Sequence, residues 1–219
     1  PAQPAAAKEA AAPAKGTEPP ADSKERRCTA DGRSCITVAS YVADVCSTIE
    51  RAATENLRLL WSQRSPATVA RTPEEAVILA SIVEKETGIA SERPEVAAVF
   101  TNRLRLGMRL ESDPTIVYGV TKGRPLGRGI LLSELRNPTP WNTYLIDGLP
   151  PTPIANPGRA AIQAALNPED SDYLFFVADG TGGHTFSRTL AEHNAAVARW
   201  REIERQQGGD VTSPVQGDG

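Results

Sequence analysis

Cysteine and histidine are scarce in this chain, with three of the first and two of the second among 219 residues. Cys28, Cys35 and Cys46 all fall in the first quarter and form no C-x-x-C pair. That count is too low for a disulfide scaffold, although an oxidising compartment would let Cys28 and Cys35 close a short loop. His184 and His193 stand in no metal-ligand spacing, which argues against a metal enzyme and leaves no cofactor implied. A basic field is missing as well: the net charge is −3, so nothing points to a nucleic-acid partner. No apolar run reaches the roughly 18 residues of a membrane span, and no signal-peptide pattern opens the chain. A start at Pro1 without Met is what a fragment that has lost an anchor or signal would show. Nucleophile signatures are absent too. There is no G-x-S-x-G elbow, and "DGTGGH" reads as a hairpin turn rather than a phosphate cradle.

What is present organises into four stretches. Residues 1–27 hold no aromatic residue and no Val, Ile or Leu. Such a segment cannot offset its ordering entropy by burial, and residues 1–35 read as a disordered tether. Residues 36–71 read as a helical N-terminal segment, broken at most once, with Leu57, Leu60 and Trp61 at helical spacing for packing. Residues 72–206 read as the main domain, and 207–219 as a disordered tail. The class is α+β: mostly helical, with a small antiparallel hairpin and long Pro-rich loops.

Within the domain, "RTPEEAVILASIVEKETG" carries a Thr72-Pro73 start, a Thr-x-x-Glu capping box to Glu75 and a stop at Gly88. Its apolar residues surround the whole helix circumference, which predicts a central, buried helix. A second helix runs through "SERPEVAAVFTNRLRLG", with Val96, Val99, Phe100 and Leu104 as its core stripe. "MRLESDPTIVYGVTKGRPLGRG" is dense in Gly, Pro and Asp and reads as irregular chain or a hairpin. Seven prolines punctuate residues 137–168, where a short helix is expected to open at Asn156-Pro157. Tyr173–Ala178 and His184–Ser187 predict a β-hairpin, and residues 190–206 a final amphipathic helix.

Acid–base chemistry by carboxylates is what remains. A carboxyl at the end of an apolar helix is partly desolvated, which raises its pKa toward that of a useful general acid. Glu84 and Glu86 both stand there. Helical spacing puts Glu84 beside Val77, Ala80 and Ser81, and Glu86 near Leu79 and Ile82, without deciding between them. Glu92, Asp113 and Glu134 are candidates for a second carboxylate, none forced by spacing.

Three stretches go further: "ILASIVEKETGIASERPEVAAVFTNRLRLGMRLESDPTIVYG", "NTYLIDGLPPTPIANPG" and "YLFFVADGTGGHTFSRTLAEHN". Between about residues 72 and 200 they resemble, in order, the YceG-like family of endolytic murein transglycosylases. The resemblance implies cleavage of the MurNAc-β-1,4-GlcNAc bond of peptidoglycan without water, leaving 1,6-anhydro-MurNAc ends. It implies Glu84 as the catalytic acid, as the first Glu of the family's E-K-E. It implies that Asn102, Asp113, Thr115, Tyr118, Asn142 and Tyr144 line a sugar groove, with Glu86, Arg103 and His184 in support. Turn chemistry is the competing account of the Asp-Pro and Asn-Thr positions. Implied partners are peptidoglycan strands and the synthases (penicillin-binding proteins) that extend them. The implied location is the cell envelope, on the periplasmic side of the inner membrane. A hydrolytic muramidase and a glycan-binding module without activity are the alternatives. Thr152 stands where the family is expected to carry Gly, and Trp141 where Tyr or another aromatic is usual. The family's N-terminal membrane segment, its LysM-like part and its "E-G-Y-L-F-P-D-T-Y" stretch are not found.

Overall fold

The computed structural model of the protein describes residues 26–28 and 35–206. The chain forms two compact units, residues 1–53 and 54–219. In the first, strands β1 (Arg26–Cys28) and β2 (Cys35–Thr37) pair antiparallel with Cys28 opposite Cys35, and helix α1 (Val38–Ser62) begins. A disordered tether was the expectation up to residue 35. Its segments 1–25 and 29–34, like the expected tail 207–219, lie outside the described residues. Beyond β2, α1 runs without the break that the sequence allowed.

The second unit is built around α2 (Pro73–Glu86). Thr72 Oγ1 accepts the Glu75 N–H at 3.2 Å and so caps the helix. Glu75 does not complete the expected box on Thr72; its carboxylate reaches one residue further back, to the Arg71 N–H at 2.7 Å. Ala76, Leu79, Ala80, Ile82 and Val83 have no exposed surface. Burial all round requires partners on every side: α6 (Arg159–Leu166), α3 (Arg93–Arg105) and α4 (Asp113–Thr121). Ala161, Ala164 and Ala165 on α6 are small enough for its backbone to come close to α2. Leu60, at the end of α1, packs with Ala70, Ala76 and Leu166, with Trp61 alongside.

A single 3-10 turn, Ala90–Glu92, leads into α3, and Gly107 at φ 69° turns the chain out of it. Strands β3 (Phe175–Ala178) and β4 (His184–Ser187) form the expected antiparallel hairpin, against which α7 (Leu190–Gln206) packs. Phe100 of α3 meets Phe176 of β3 edge to face at 5.8 Å, joining the helical core to the hairpin.

Two expectations are corrected. Residues 108–129, expected as irregular chain or a hairpin, contain the helix α4 and no strand, and the short α5 (Leu132–Leu135) follows them. Ser112-Asp113-Pro114 reads equally as a turn and as a helix start, and the apolar face of Ile116, buried beneath the domain, favours the helix. Helix α6 begins at Arg159 with Gly158 as its N-cap residue, two positions after the expected cap, because Glu84 Oε2 takes the Gly158 N–H at 2.9 Å. Thr152 does not adopt a left-handed conformation; among the described non-glycine residues only Glu111 and Lys122 have positive φ. Its Oγ1 instead accepts the Trp141 indole N–H at 2.9 Å, so the two unusual residues of the Pro-rich loop bond each other.

Truncating Leu79 to Ala removes a side chain with no exposed surface. It is expected to cost about 2–5 kcal/mol in chemical denaturation. Leu190→Ala, more than half exposed, should stay within about 0.5 kcal/mol of the parent.

Candidate active site

The E-K-E tripeptide at the end of α2 sends its two acids in different directions. Glu84 turns toward the start of α6, where Oε2 accepts the Gly158 N–H and Oε1 lies 3.8 Å from the Arg93 guanidinium. This carboxylate joins α2, α3 and α6, and it lines neither of the two cavities described below. Glu86 turns toward the loop before α4, where Oε1 accepts the Ser112 hydroxyl at 2.5 Å. Burial pushes its carboxyl up to about 7; the Ser112 hydrogen bond opposes the rise and the nearby charge of Asp113 adds to it.

Asp113 opens α4 and accepts the Tyr144 phenol at 2.6 Å. Burial raises its pKa against the pull of that hydrogen bond. Burial also raises the Tyr144 phenol, as do the charge of Asp113 and its hydrogen bond, so Tyr144 stays a donor at neutral pH. Beneath this pair lies a buried polar seam. The Ser112 N–H donates to Thr143 Oγ1 at 3.0 Å, Thr115 Oγ1 donates to the Ser112 carbonyl at 2.6 Å, and the two threonine hydroxyls meet at 2.8 Å. Two segments about thirty residues apart in sequence are thereby held in one register.

Two cavities border these residues. The larger, about 960 Å³, runs past Lys85, Asp113, Tyr118, Arg124, Pro153 and Asn156. The smaller, about 170 Å³, is bounded by Glu86, Asp113, Tyr144, Phe176 and His184. Asp113 belongs to both. Tyr118 stands edge to face with Trp141 at 5.5 Å, and Lys122 Nζ rests 3.3 Å from the Trp141 ring centre. An aromatic and cationic platform therefore adjoins the larger groove.

Of the positions implied by resemblance, the structure brings Glu86, Arg103, Asp113, Tyr144 and His184 together around one cavity and sets Tyr118 on the neighbouring groove. Asn102, Thr115 and Asn142 lie behind the wall. The Asn102 amide donates to the carbonyls of Ser171 and Tyr173. Asn142, 1% exposed, donates to those of Leu135 and Asn137 and accepts the Tyr144 N–H. Arg103 is a clasp. It donates to the carbonyls of Arg109 and Leu174, pairs with Glu111 and lies over the Phe175 ring. Among the candidate second carboxylates, Glu134 is bound to Arg128 and Glu92 to His184, so only Asp113 stands beside Glu86 in both cavity and charge. Ser112, Lys85 and Arg124 were not singled out in the sequence as site residues. Ser112 could have been, as the residue preceding the Asp-Pro-Thr motif.

Comparison with known proteins follows the same residues. The model of the YceG-like family matches residues 36–199. The chain is 40% identical over 122 residues to an endolytic murein transglycosylase of Bacillus subtilis (strain 168), covering 56% of this chain and 33% of that protein. It is 35% identical over 173 residues to one of Streptococcus pneumoniae serotype 2 (strain D39 / NCTC 7466), covering 71% of this chain and 31% of that protein. A solved yceG-like protein of Listeria monocytogenes superposes with a TM-score of 0.51 at 41% identity, over 56% of this chain and 38% of its own. The chain thus spans about a third of the length of the curated relatives it matches.

The raised Glu86 carboxyl has a thermodynamic consequence. A folded pKa of about 7 against an ordinary 4.5 means that the fold binds the proton more tightly than the unfolded chain does. The resulting stability is fully present below about pH 4.5 and is lost as pH rises through about 7. Thermal or urea unfolding across this window should show stability falling by about 1–3 kcal/mol. Glu86→Gln should flatten the profile.

Proposed function

Because this chain belongs to the YceG-like family, with most of its length matched to the family's model, we propose that it is the catalytic portion of an endolytic murein transglycosylase. On this reading it cleaves the MurNAc-β-1,4-GlcNAc bond within peptidoglycan and leaves a 1,6-anhydro-MurNAc end. The observation that carries the reading is the placement of Glu86. Its carboxyl is held at about pKa 7 on a cavity that meets a long open groove at Asp113. At neutral pH such a group still carries a proton on an appreciable share of molecules and can deliver it to a glycosidic oxygen.

The resemblance by itself assigns the acid to Glu84. We place it on Glu86, because Glu84 is engaged by the Gly158 N–H and Arg93 and borders neither cavity. Glu86 protonates the departing oxygen as the C1–O bond breaks; the C6 hydroxyl of the same MurNAc closes onto C1 and gives its proton to the Glu86 carboxylate, which is thereby restored as the acid. The substrate carries its own nucleophile on a short tether, so neither a bound water nor a nucleophilic carboxylate is required. Asp113, bonded by Tyr144, supports this by keeping the proton on Glu86 through its charge. Tyr118 and Tyr144 offer ring faces and a hydroxyl to sugar units along the groove.

Strands of murein as substrate agree with the names of the curated relatives. Murein as substrate supports work in the cell envelope; the periplasmic side of the inner membrane and action on nascent strands beside peptidoglycan synthases belong to the same proposal. None of the described helices is long and apolar enough to cross a membrane.

Digestion of isolated peptidoglycan, with mass analysis of the soluble products, tests the assignment. Glu86→Gln should lower release of anhydro ends by at least roughly 10²-fold, while Glu84→Gln, with its fold checked by melting, should retain most of it. Loss in Glu84→Gln with full activity in Glu86→Gln would return the acid to Glu84. Products heavier by one water would mean a muramidase. Binding to peptidoglycan with no soluble release would mean a glycan-binding module.

A further inference from the structure

The larger groove holds two basic side chains that no contact within the described residues uses. Lys85 lines it from the last turn of α2, and Arg124 from the loop after α4. Both are exposed. No hydrogen bond, ion pair or ring contact among the described residues engages either of them. The charged residues near them in sequence are spent elsewhere. Glu84 faces Arg93, Glu86 takes the Ser112 hydroxyl, Lys122 rests on Trp141 and Arg128 pairs with Glu134. Asp113 is the one acid that lines this groove, and its carboxylate already holds the Tyr144 phenol. Gly123, at φ 93°, turns the chain out of α4. Pro125 then disfavours a helical backbone at Arg124, so the loop cannot resume the helix.

Two like charges on one groove repel each other, and a complementary anion relieves that repulsion. The chain as a whole carries −3, so this groove draws anions against the charge of the molecule around it. The substrate proposed above brings such an anion to the cut. The MurNAc unit whose C1–O bond breaks carries a stem peptide on its O3 lactyl group, and that peptide has free carboxylates. We propose that Lys85 and Arg124 form a subsite that reads the carboxylates of the stem peptide, so that the chain prefers peptide-bearing strands over strands stripped of peptide; this rests on the transglycosylase reading above.

The two cations suit the task in different ways. The planar guanidinium of Arg124 can grip a carboxylate with two parallel hydrogen bonds, while Lys85 acts as a compact point charge. At about 960 Å³ the groove lies at the upper end of the roughly 300–1,000 Å³ of small-molecule sites, which leaves room for a sugar together with an attached peptide. Pro114 and Pro153 give it stiff apolar walls. Neither cation makes or breaks a bond. The charge that shifts the Glu86 carboxyl is that of Asp113, so loss of Lys85 or Arg124 acts on binding and leaves the acid as it is. A phosphate at a strand terminus is the other anion a glycan could offer. It sits at one end only, whereas a cut within a strand always has a stem peptide beside it.

The test uses the full chain on three preparations of isolated peptidoglycan, reading kcat, KM and product mass. One preparation is intact, one is stripped of stem peptides by an amidase, and one has its peptide carboxylates converted to amides. Wild-type protein should cut intact strands with a kcat/KM at least roughly tenfold above that for stripped strands. Amidation should remove most of that preference, and added salt should shrink it. Lys85→Ala and Arg124→Ala, at exposed positions and checked by melting temperature, should each reduce the preference by about 3–10-fold through KM. Arg124→Lys should give part of it back. Equal cutting of intact and stripped strands by wild-type protein overturns the subsite, as does a preference that both alanine variants retain or that amidation leaves whole. A loss in the variants that is equal on intact and stripped strands overturns it too, since the cations would then hold glycan and not peptide. In each of these cases anhydro ends from wild-type protein keep the transglycosylase reading in place. Products one water heavier, with the preference intact, keep the subsite and sink that reading. Wild-type protein that cuts none of the three preparations sinks both.

Discussion

Thr143 Oγ1 is the atom on which the site is assembled. It accepts the Ser112 N–H and meets the Thr115 hydroxyl in a region without solvent. Burying these polar groups is tolerable only because each satisfies another, and a half-satisfied cluster would cost more than an apolar one. The geometry is accordingly fixed. The same short segment places Ser112 on Glu86 and Asp113 on Tyr144. Shifting either segment by one residue would break the seam and both carboxylate contacts together.

The seam has to be met by something equally rigid, and α2 provides it. A helix packed on all sides cannot tilt or slide without opening cavities in a close-packed interior. Its last turn therefore delivers Glu86 to Ser112 and Glu84 to the start of α6 as fixed points. Arg103 performs a related task across the domain, tying α3 to the carbonyls of Arg109 and Leu174 and to Glu111. The hairpin that carries His184 is thus clamped to α3 and to the loop that leads into α4. Glu86, Asp113 and His184 come from separate parts of the chain but share one frame.

Much of this frame was legible beforehand. The capped, all-apolar α2, the stripe of α3, the hairpin and α7 follow from short-range periodicity and capping, which act within a few residues. The stretch after Met108 was not legible, because Asp, Pro and Gly punctuate both turns and helix starts, and only the burial of Ile116 selects the helix. Asn102, Thr115 and Asn142 looked like groove residues by type. Their amides and hydroxyls are spent on backbone carbonyls and, for Thr115, on the Thr143 hydroxyl inside the wall, a choice that depends largely on segments distant in sequence.

The sequence by itself determined the class, the family resemblance and the presence of two acids at the end of a buried helix. These rest on local propensity and on motifs read in order along the chain. Only the tertiary structure separated the acids. Glu84 and Glu86 lie two positions apart on one helix, so their own surroundings in sequence are nearly the same. What differs is what folds against each: a backbone N–H and an arginine on one side, and a hydroxyl, a second carboxylate and a cavity on the other. Desolvation and charge act through space, and the neighbours that supply them are brought there by packing alone.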